Sequence, residues 1–253
     1  MKAVIHTKFG PPNELQFGEI EKPNPEDNEV LIKIHAATVT TSDCNIRNLT
    51  FTPKWAMFLM RLFMFGVFKP RNKLLGTDLA GEIEAVGKDV KQFKKGDRVF
   101  GTSEPALGTY AEYICIPEDG VLAIKPTNMT YEESAAVPNG AFTALTFLRN
   151  MGNIQSGQKV LINGASGMIG TFAVQLARYY EAEITGVCST KNLDMVKSLG
   201  ADTVIDYTKE DFTKSNETYD VIFDTVAKSS FSRCKGSLKK NGLYLTTLPT
   251  LAV

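Results

Sequence analysis

The stretch "VLINGASGMIG", Val160 to Gly170, decides the fold. "VLIN" is an apolar run of strand type, glycines follow at every third residue, and "MIGTFAVQLARYY" continues with an apolar face at helical spacing. Strand, glycine turn and helix form the context in which a variant of G-x-G-x-x-G has physical meaning. Here the variant is Ala165-x-Gly167-x-x-Gly170, with Gly164 ahead of it. Gly167 lets the backbone approach a pyrophosphate, and Gly170 lets the helix pack close to the strand. The N–H groups of Ser166, Gly167, Met168 and Ile169 are expected to meet phosphates at the positive helix end. The plain alternative is a tight strand–helix turn without a ligand.

The surrounding chain supports a nucleotide-binding α/β domain. "EITGVC", "DTVIDY", "YDVIFDT" and "GLYLTTL" read as strands. "NLDMVKSLG" reads as a helix closed by Gly200, and "SSFSRCKGSLKKNG" as a helical segment between the last two strands. Strand–helix alternation implies a parallel sheet covered on both faces. "TYEESAAVPNGAFTALTFLRNM", upstream, is helical with a break at Pro138. Before about residue 125 the texture is different. "LQFGEIE", "EVLIKIHAA", "LAGEIEAVG", "DRVFG" and "TYAEYICI" alternate with Gly, Pro, Asn and Asp turns, the pattern of a small β-barrel or sandwich.

Composition narrows the function classes. The chain has 253 residues, and its 28 Lys and Arg balance 28 Asp and Glu. Zero formal net charge gives no electrostatic case for nucleic acid or an anionic membrane. The cysteines Cys44, Cys115, Cys188 and Cys234 form no C-x-x-C pair, which favours a reducing, cytoplasmic setting. "MKAVIHTKFGPP" lacks the apolar core of a secretory signal. The apolar stretch Trp55–Phe68 is too short to span a bilayer and is interrupted by Arg61. It reads as a core helix or a roof over a substrate cleft involving Phe63 and Phe65, with an interfacial helix as the minority reading.

The second strand of the nucleotide unit decides the nucleotide. An NAD-type site places Asp or Glu at that strand end, on the ribose 2′-hydroxyl. This chain has "CSTK" there. The Ser189 hydroxyl and the Lys191 ammonium suit a 2′-phosphate, so NADPH is expected over NADH.

"GTDLAGEIEAVG" (Gly76–Gly87), "KKGDRVFG" (Lys94–Gly101), "GTYAEYICIP" (Gly108–Pro117), "GASGMIG" and "SLGADTVIDY" together resemble the medium-chain dehydrogenase/reductase superfamily, and most closely its zinc-free quinone oxidoreductase branch. The resemblance covers essentially the whole chain. It implies a GroES-like β-barrel catalytic domain over residues 1–125 and a Rossmann domain, a doubly wound parallel sheet, over 126–253, with the active site in the cleft between them. It also implies that Ser189, Lys191 and Tyr207 hold the 2′-phosphate end and that Thr143 stands beside the nicotinamide. Family members run longer, adding a sixth Rossmann strand and a C-terminal return. The chain as read stops at "TTLPTLAV": either it is a fragment or it closes the fold differently, and its fifth strand is expected to be an open edge, with a homodimer as one way to pair it.

The resemblance bears on metal as well. Zinc members use a cysteine and a histidine at positions that here correspond to Thr40 and Thr77, neither of which is a plausible zinc ligand. No metal is expected. His6 and His35 are read as core or surface residues. The substrate-side motif reads Thr40-Thr41-Ser42-Asp43-Cys44-Asn45-Ile46-Arg47, and Thr40, Asp43, Asn45 and Arg47 are the candidate catalytic residues. Thr40 and Asn45 replace the usual asparagine and the usual tyrosine or lysine. Asp43 and Arg47 read equally as an ion pair or as site residues. The expected activity is zinc-independent, NADPH-dependent reduction of a small apolar acceptor, a quinone or an α,β-unsaturated carbonyl compound. An enoyl or 2-alkenal reductase and an inactive NADPH-binding protein are the alternatives.

Overall fold

The computed structural model describes residues 1–50 and 70–247. Trp55–Phe68, with the roof and interfacial readings placed on it, lies outside the described residues.

The chain divides into two compact units, Met1–Pro138 and Asn139–Val253. The first holds a ribbon of β1 (Lys2–His6) and β2 (Leu15–Glu19) and a five-stranded sheet. The sheet comprises β3 (Glu29–Ala37), β4 (Asp78–Val86), β5 (Arg98–Thr102), β6 (Tyr113–Pro117) and β7 (Leu122–Ile124), ordered β6-β3-β4-β5-β7 and antiparallel throughout. Val30, Ile32, Leu79, Ile83 and Val99 form its fully buried centre, one face of alternating strands turned inward. Helix α1 (Thr41–Asn48) follows β3. Helix α2 (Tyr131–Ala135) packs on β3 and β4, and the Tyr131 ring stacks on His35 with centroids 4.4 Å apart. These contacts carry the first unit past residue 125, where the sequence period changes, to Pro138.

The second unit opens with α3 (Pro138–Leu145), whose last turn continues as a π-helix over Thr146–Met151. Its strands are β8 (Lys159–Asn163), β9 (Glu183–Cys188), β10 (Thr203–Asp206), β11 (Tyr219–Asp224) and β12 (Leu238–Thr246). All pair in parallel, in the order β10-β9-β8-β11-β12. Val160, Leu161 and Ile162 are buried in succession because helices cover both faces. Helix α4 (Met168–Tyr179) turns Gly170, Ala173, Val174 and Ala177 toward the sheet, the i, i+3, i+4, i+7 stripe visible in the sequence. Helix α5 (Leu193–Ser198) follows β9, and Gly200 beyond it takes φ +114°, a left-handed helix end.

The last helix is shorter than expected. Helix α6 (Phe231–Cys234) and one further turn end at Ser237, and β12 begins at Leu238 within the segment read as helical. Tyr219 pairs with Leu238 but Val221 with Leu243, so the extra residues of β12 form a bulge, with Asn241 at φ +69°. Among the described residues no helix is long and apolar enough to cross a membrane.

Candidate functional site

In an open parallel sheet, ligands bind beyond the carboxyl ends of the strands where the strand order reverses. That point lies between β8 and β11, and two buried side chains mark it. Asn163 ends β8 and Asp224 ends β11, and the Asn163 amide donates to Asp224 Oδ1 at 3.0 Å. Asp224 Oδ2 also accepts from the Ser229 N–H at 2.7 Å and from the Tyr244 hydroxyl on β12 at 3.1 Å. Burial and the Asp224 charge push the Tyr244 phenol well above its usual range. One carboxylate thus ties together three strands and the strap 225–229.

The glycine loop bends around this point. Gly164 takes φ +83°, and a Cβ there would sit 2.6 Å from a Val226 methyl. A Cβ on Gly170 would lie 2.1 Å from the Gly164 carbonyl oxygen, so only glycine permits this helix–loop approach. Gly167 is exposed, and a Cβ there would meet only the Gly164 carbonyl, at 3.3 Å, which leaves its outer side open. The Gly167 N–H is spent within the turn, donating to Gly164 O at 2.9 Å. The expectation that it faces a phosphate is corrected on this point. No side chain caps α4, so the N–H groups of Met168 and Ile169 remain at the positive helix end.

A cavity of about 1240 Å³ opens in front of the loop. Asn163, Gly164, Ser166, Gly167, Ser189 and Tyr207 are in its wall. Asn192 has no local sequence signature. Its amide donates to Ser166 Oγ at 3.0 Å and to Ser189 Oγ at 3.3 Å, joining the glycine loop to the end of β9. Both serines accept from Asn192, which leaves their O–H groups to donate outward. Lys191 stands exposed on the turn after Ser189, and the Tyr207 ring is exposed at the end of β10. Thr143 lies on α3, where a Cβ on its neighbour Gly140 would press on Met168 and Phe172 of α4. Asp206 at the end of β10 is fully engaged. Thr190 and Thr208 donate to it, and these bonds hold its carboxyl down at about 2.

The remaining candidates gather on α1 in the first unit. Thr40 caps the helix in a capping box with Asp43. Asp43 Oδ2 accepts from Thr40 N at 2.8 Å and from Thr40 Oγ1 at 2.7 Å. Asp43 Oδ1 and the Tyr110 hydroxyl are both buried, and neither closes a hydrogen bond among the described residues. Burial and the charge of Asp43 push the Tyr110 phenol well above its usual range. Asn45 Oδ1 accepts from Thr50 Oγ1 at 2.9 Å, which leaves the Asn45 amide nitrogen to donate. Arg47 forms no ion pair with Asp43; its Nε donates to the Gly10 carbonyl at 3.1 Å. Burial pulls the His6 imidazole below 6.5.

Zinc does not suit these residues. Thr40 and Thr77 offer neutral hydroxyls, and among the described residues no group of three or more His, Cys, Asp or Glu could hold a metal ion.

Residues 26–126 match the family model of the alcohol dehydrogenase GroES-like domain, and residues 169–247 that of zinc-binding dehydrogenase. The chain is 32% identical to the chloroplastic quinone-oxidoreductase homolog of Spinacia oleracea, over 98% of this chain and 75% of that one. It belongs to the medium-chain dehydrogenase/reductase superfamily, in the quinone oxidoreductase branch. The chain is also 34% identical to the mitochondrial NAD(P)H oxidoreductase RTN4IP1 of Homo sapiens, over 99% of its own length and 66% of that protein's. It therefore spans about two thirds of the length of that relative. Among solved structures, the quinone oxidoreductase of Escherichia coli complexed with NADPH superposes with a TM-score of 0.81 at 27% identity, over 97% of this chain and 72% of the other.

Proposed function

We propose that the chain carries the cofactor-binding and substrate-side residues of an NADPH-dependent oxidoreductase that reduces quinones or α,β-unsaturated carbonyl compounds. The observation that carries this reading is the end of β9. Where an acid would hold a ribose 2′-hydroxyl, Ser189 stands instead, accepting from the Asn192 amide at 3.3 Å with its own O–H free to donate. The cavity wall adds Lys209, Lys214, Lys228 and Arg233 against Glu210 and Asp211, a positive balance that fits a ligand with several phosphates.

Bound NADPH supplies the hydride, and the protein positions it and handles charge. Met168 and Ile169 N–H groups and the Ser166 hydroxyl take the diphosphate. Ser189, Lys191 and Tyr207 take the 2′-phosphate and its ribose, and Thr143 orients the nicotinamide. On the substrate side the Asn45 amide donates to the acceptor oxygen as negative charge develops there. The Thr40 hydroxyl is committed to Asp43 and supports the helix start. No step runs through a metal, which favours acceptors already electrophilic, such as a quinone or an enone.

Lys191→Glu is expected to weaken NADPH binding at least tenfold more than NADH binding in a fluorescence titration; equal losses reject the 2′-phosphate assignment. NADPH oxidation against quinones, enones, enals and aldehydes tests turnover. The commitment of Thr40 to Asp43 favours a second reading, an NADPH-binding protein without turnover, and binding without oxidation of any acceptor would select it.

A further inference from the structure

The strap 225–229 carries a charge, on Lys228, to which the reading above gives no specific role. It is anchored at both ends. Thr225 Oγ1 donates to Asn163 O at 2.9 Å, and the Ser229 N–H donates to Asp224 at 2.7 Å. Between the anchors Ala227 takes φ +51°, a left-handed conformation that costs an alanine roughly 1 kcal/mol. The strap therefore projects residues 226–228 in a fixed way beside Gly164. Lys228, next to the strained residue, is exposed and lines the same cavity as Gly164, Ser166 and Gly167.

The other cations in that wall differ from Lys228. Arg233 is paired with Asp211 at 2.8 Å, and Lys209 with Asp206 at 3.5 Å. Lys214 ends the turn Phe212–Lys214 between β10 and β11, a segment other than the strap. Among the described residues Lys228 makes no ion pair, and it stands on the strap that flanks the loop, where Thr225 donates to the Gly164 carbonyl. The uncapped start of α4 offers its N–H groups to a phosphate from one side only.

We infer that Lys228 supplies the opposing positive charge and clamps the diphosphate of a bound dinucleotide against the start of α4. The inference rests on the dinucleotide reading of the cavity. It separates two kinds of recognition. Ser189 and Lys191 distinguish NADPH from NADH, whereas Lys228 grips the part the two share.

The test is the affinity of Lys228→Met and Lys228→Arg for NADPH, NADH and adenosine 2′-monophosphate, the last lacking the bridging diphosphate. Lys228→Met is expected to weaken NADPH and NADH alike, about 5- to 20-fold, and to leave adenosine 2′-monophosphate unchanged. The dependence of NADPH affinity on salt should become shallower, and Lys228→Arg should retain most of the affinity. Unchanged dinucleotide affinity overturns the clamp, as does a loss confined to NADPH or shared by adenosine 2′-monophosphate. Wild-type protein that binds neither dinucleotide overturns the cavity reading and the clamp with it. The substitution is at an exposed position, so an unchanged melting temperature separates lost contact from lost fold.

Discussion

Thr40 and Asp43 each donate to the other: Thr40 Oγ1 to Asp43 Oδ2 at 2.7 Å, and Asp43 N to Thr40 Oγ1 at 3.2 Å. The pair is buried and starts α1, so the substrate-side motif is set by a capping box before it meets any substrate.

Thr40→Ala removes both side-chain bonds and is expected to cost about 1 kcal/mol, with Thr40→Ser recovering most of it. Urea denaturation reads both. If Thr40→Ala is neutral, the capping box does not hold the helix start.

The Gly170 approach gives a sharper expectation. A Cβ 2.1 Å from the Gly164 carbonyl meets backbone, which cannot swing aside as a side chain would. Gly170→Ala should displace the glycine loop and weaken NADPH binding at least tenfold, as in overpacked sites that shift backbone. Gly167→Ala, with one contact at 3.3 Å, should keep the fold and lower affinity only by crowding the ligand. Melting temperatures measured beside the titrations separate the two effects.

Asp224 should be the least replaceable polar residue of the second unit. Asp224→Ala strands the Asn163, Ser229 and Tyr244 donors and is expected to cost roughly 3 kcal/mol or more, whereas Tyr244→Phe should cost about 1 kcal/mol. Equal losses in the two variants would contradict a shared hub.

Asp206 sets an acid response. Its folded carboxyl, held at about 2 by Thr190 and Thr208, lies below the ordinary 3.8. Its stabilising contribution is therefore complete above pH 3.8 and is lost as pH falls toward 2. Asp206→Asn should show a shallower fall in melting temperature between pH 4 and pH 2 than the wild type.

Local signals carried most of the fold. "EVLIKIHAA" is β3 residue for residue, and "KVLIN" and "EITGVC" are β8 and β9, because alternation or continuous apolarity reports burial directly. The start of β12 was not legible, since "LKKNG" has no strand pattern and becomes a strand through pairing with β11 and the Lys239–Asp220 ion pair. The tight glycine turn was legible in Gly164 and Gly170. Asn192 and the Asp224 hub were not, because their partners are fixed by folding rather than by spacing. The Tyr110–Asp43 juxtaposition joins segments 67 positions apart and has no local signature.

The bridge from Asn192 to Ser166 and Ser189 has one more consequence. A single amide sets the distance between two hydroxyls that belong to different strand ends. If a dinucleotide binds as proposed, the cradle works as a gauge of length: a ligand with anionic groups at both ends of one adenosine would engage the two hydroxyls together, while a ligand with one such group would reach only one. On the proposed reading, selection for NADPH is then a matter of span as much as of charge.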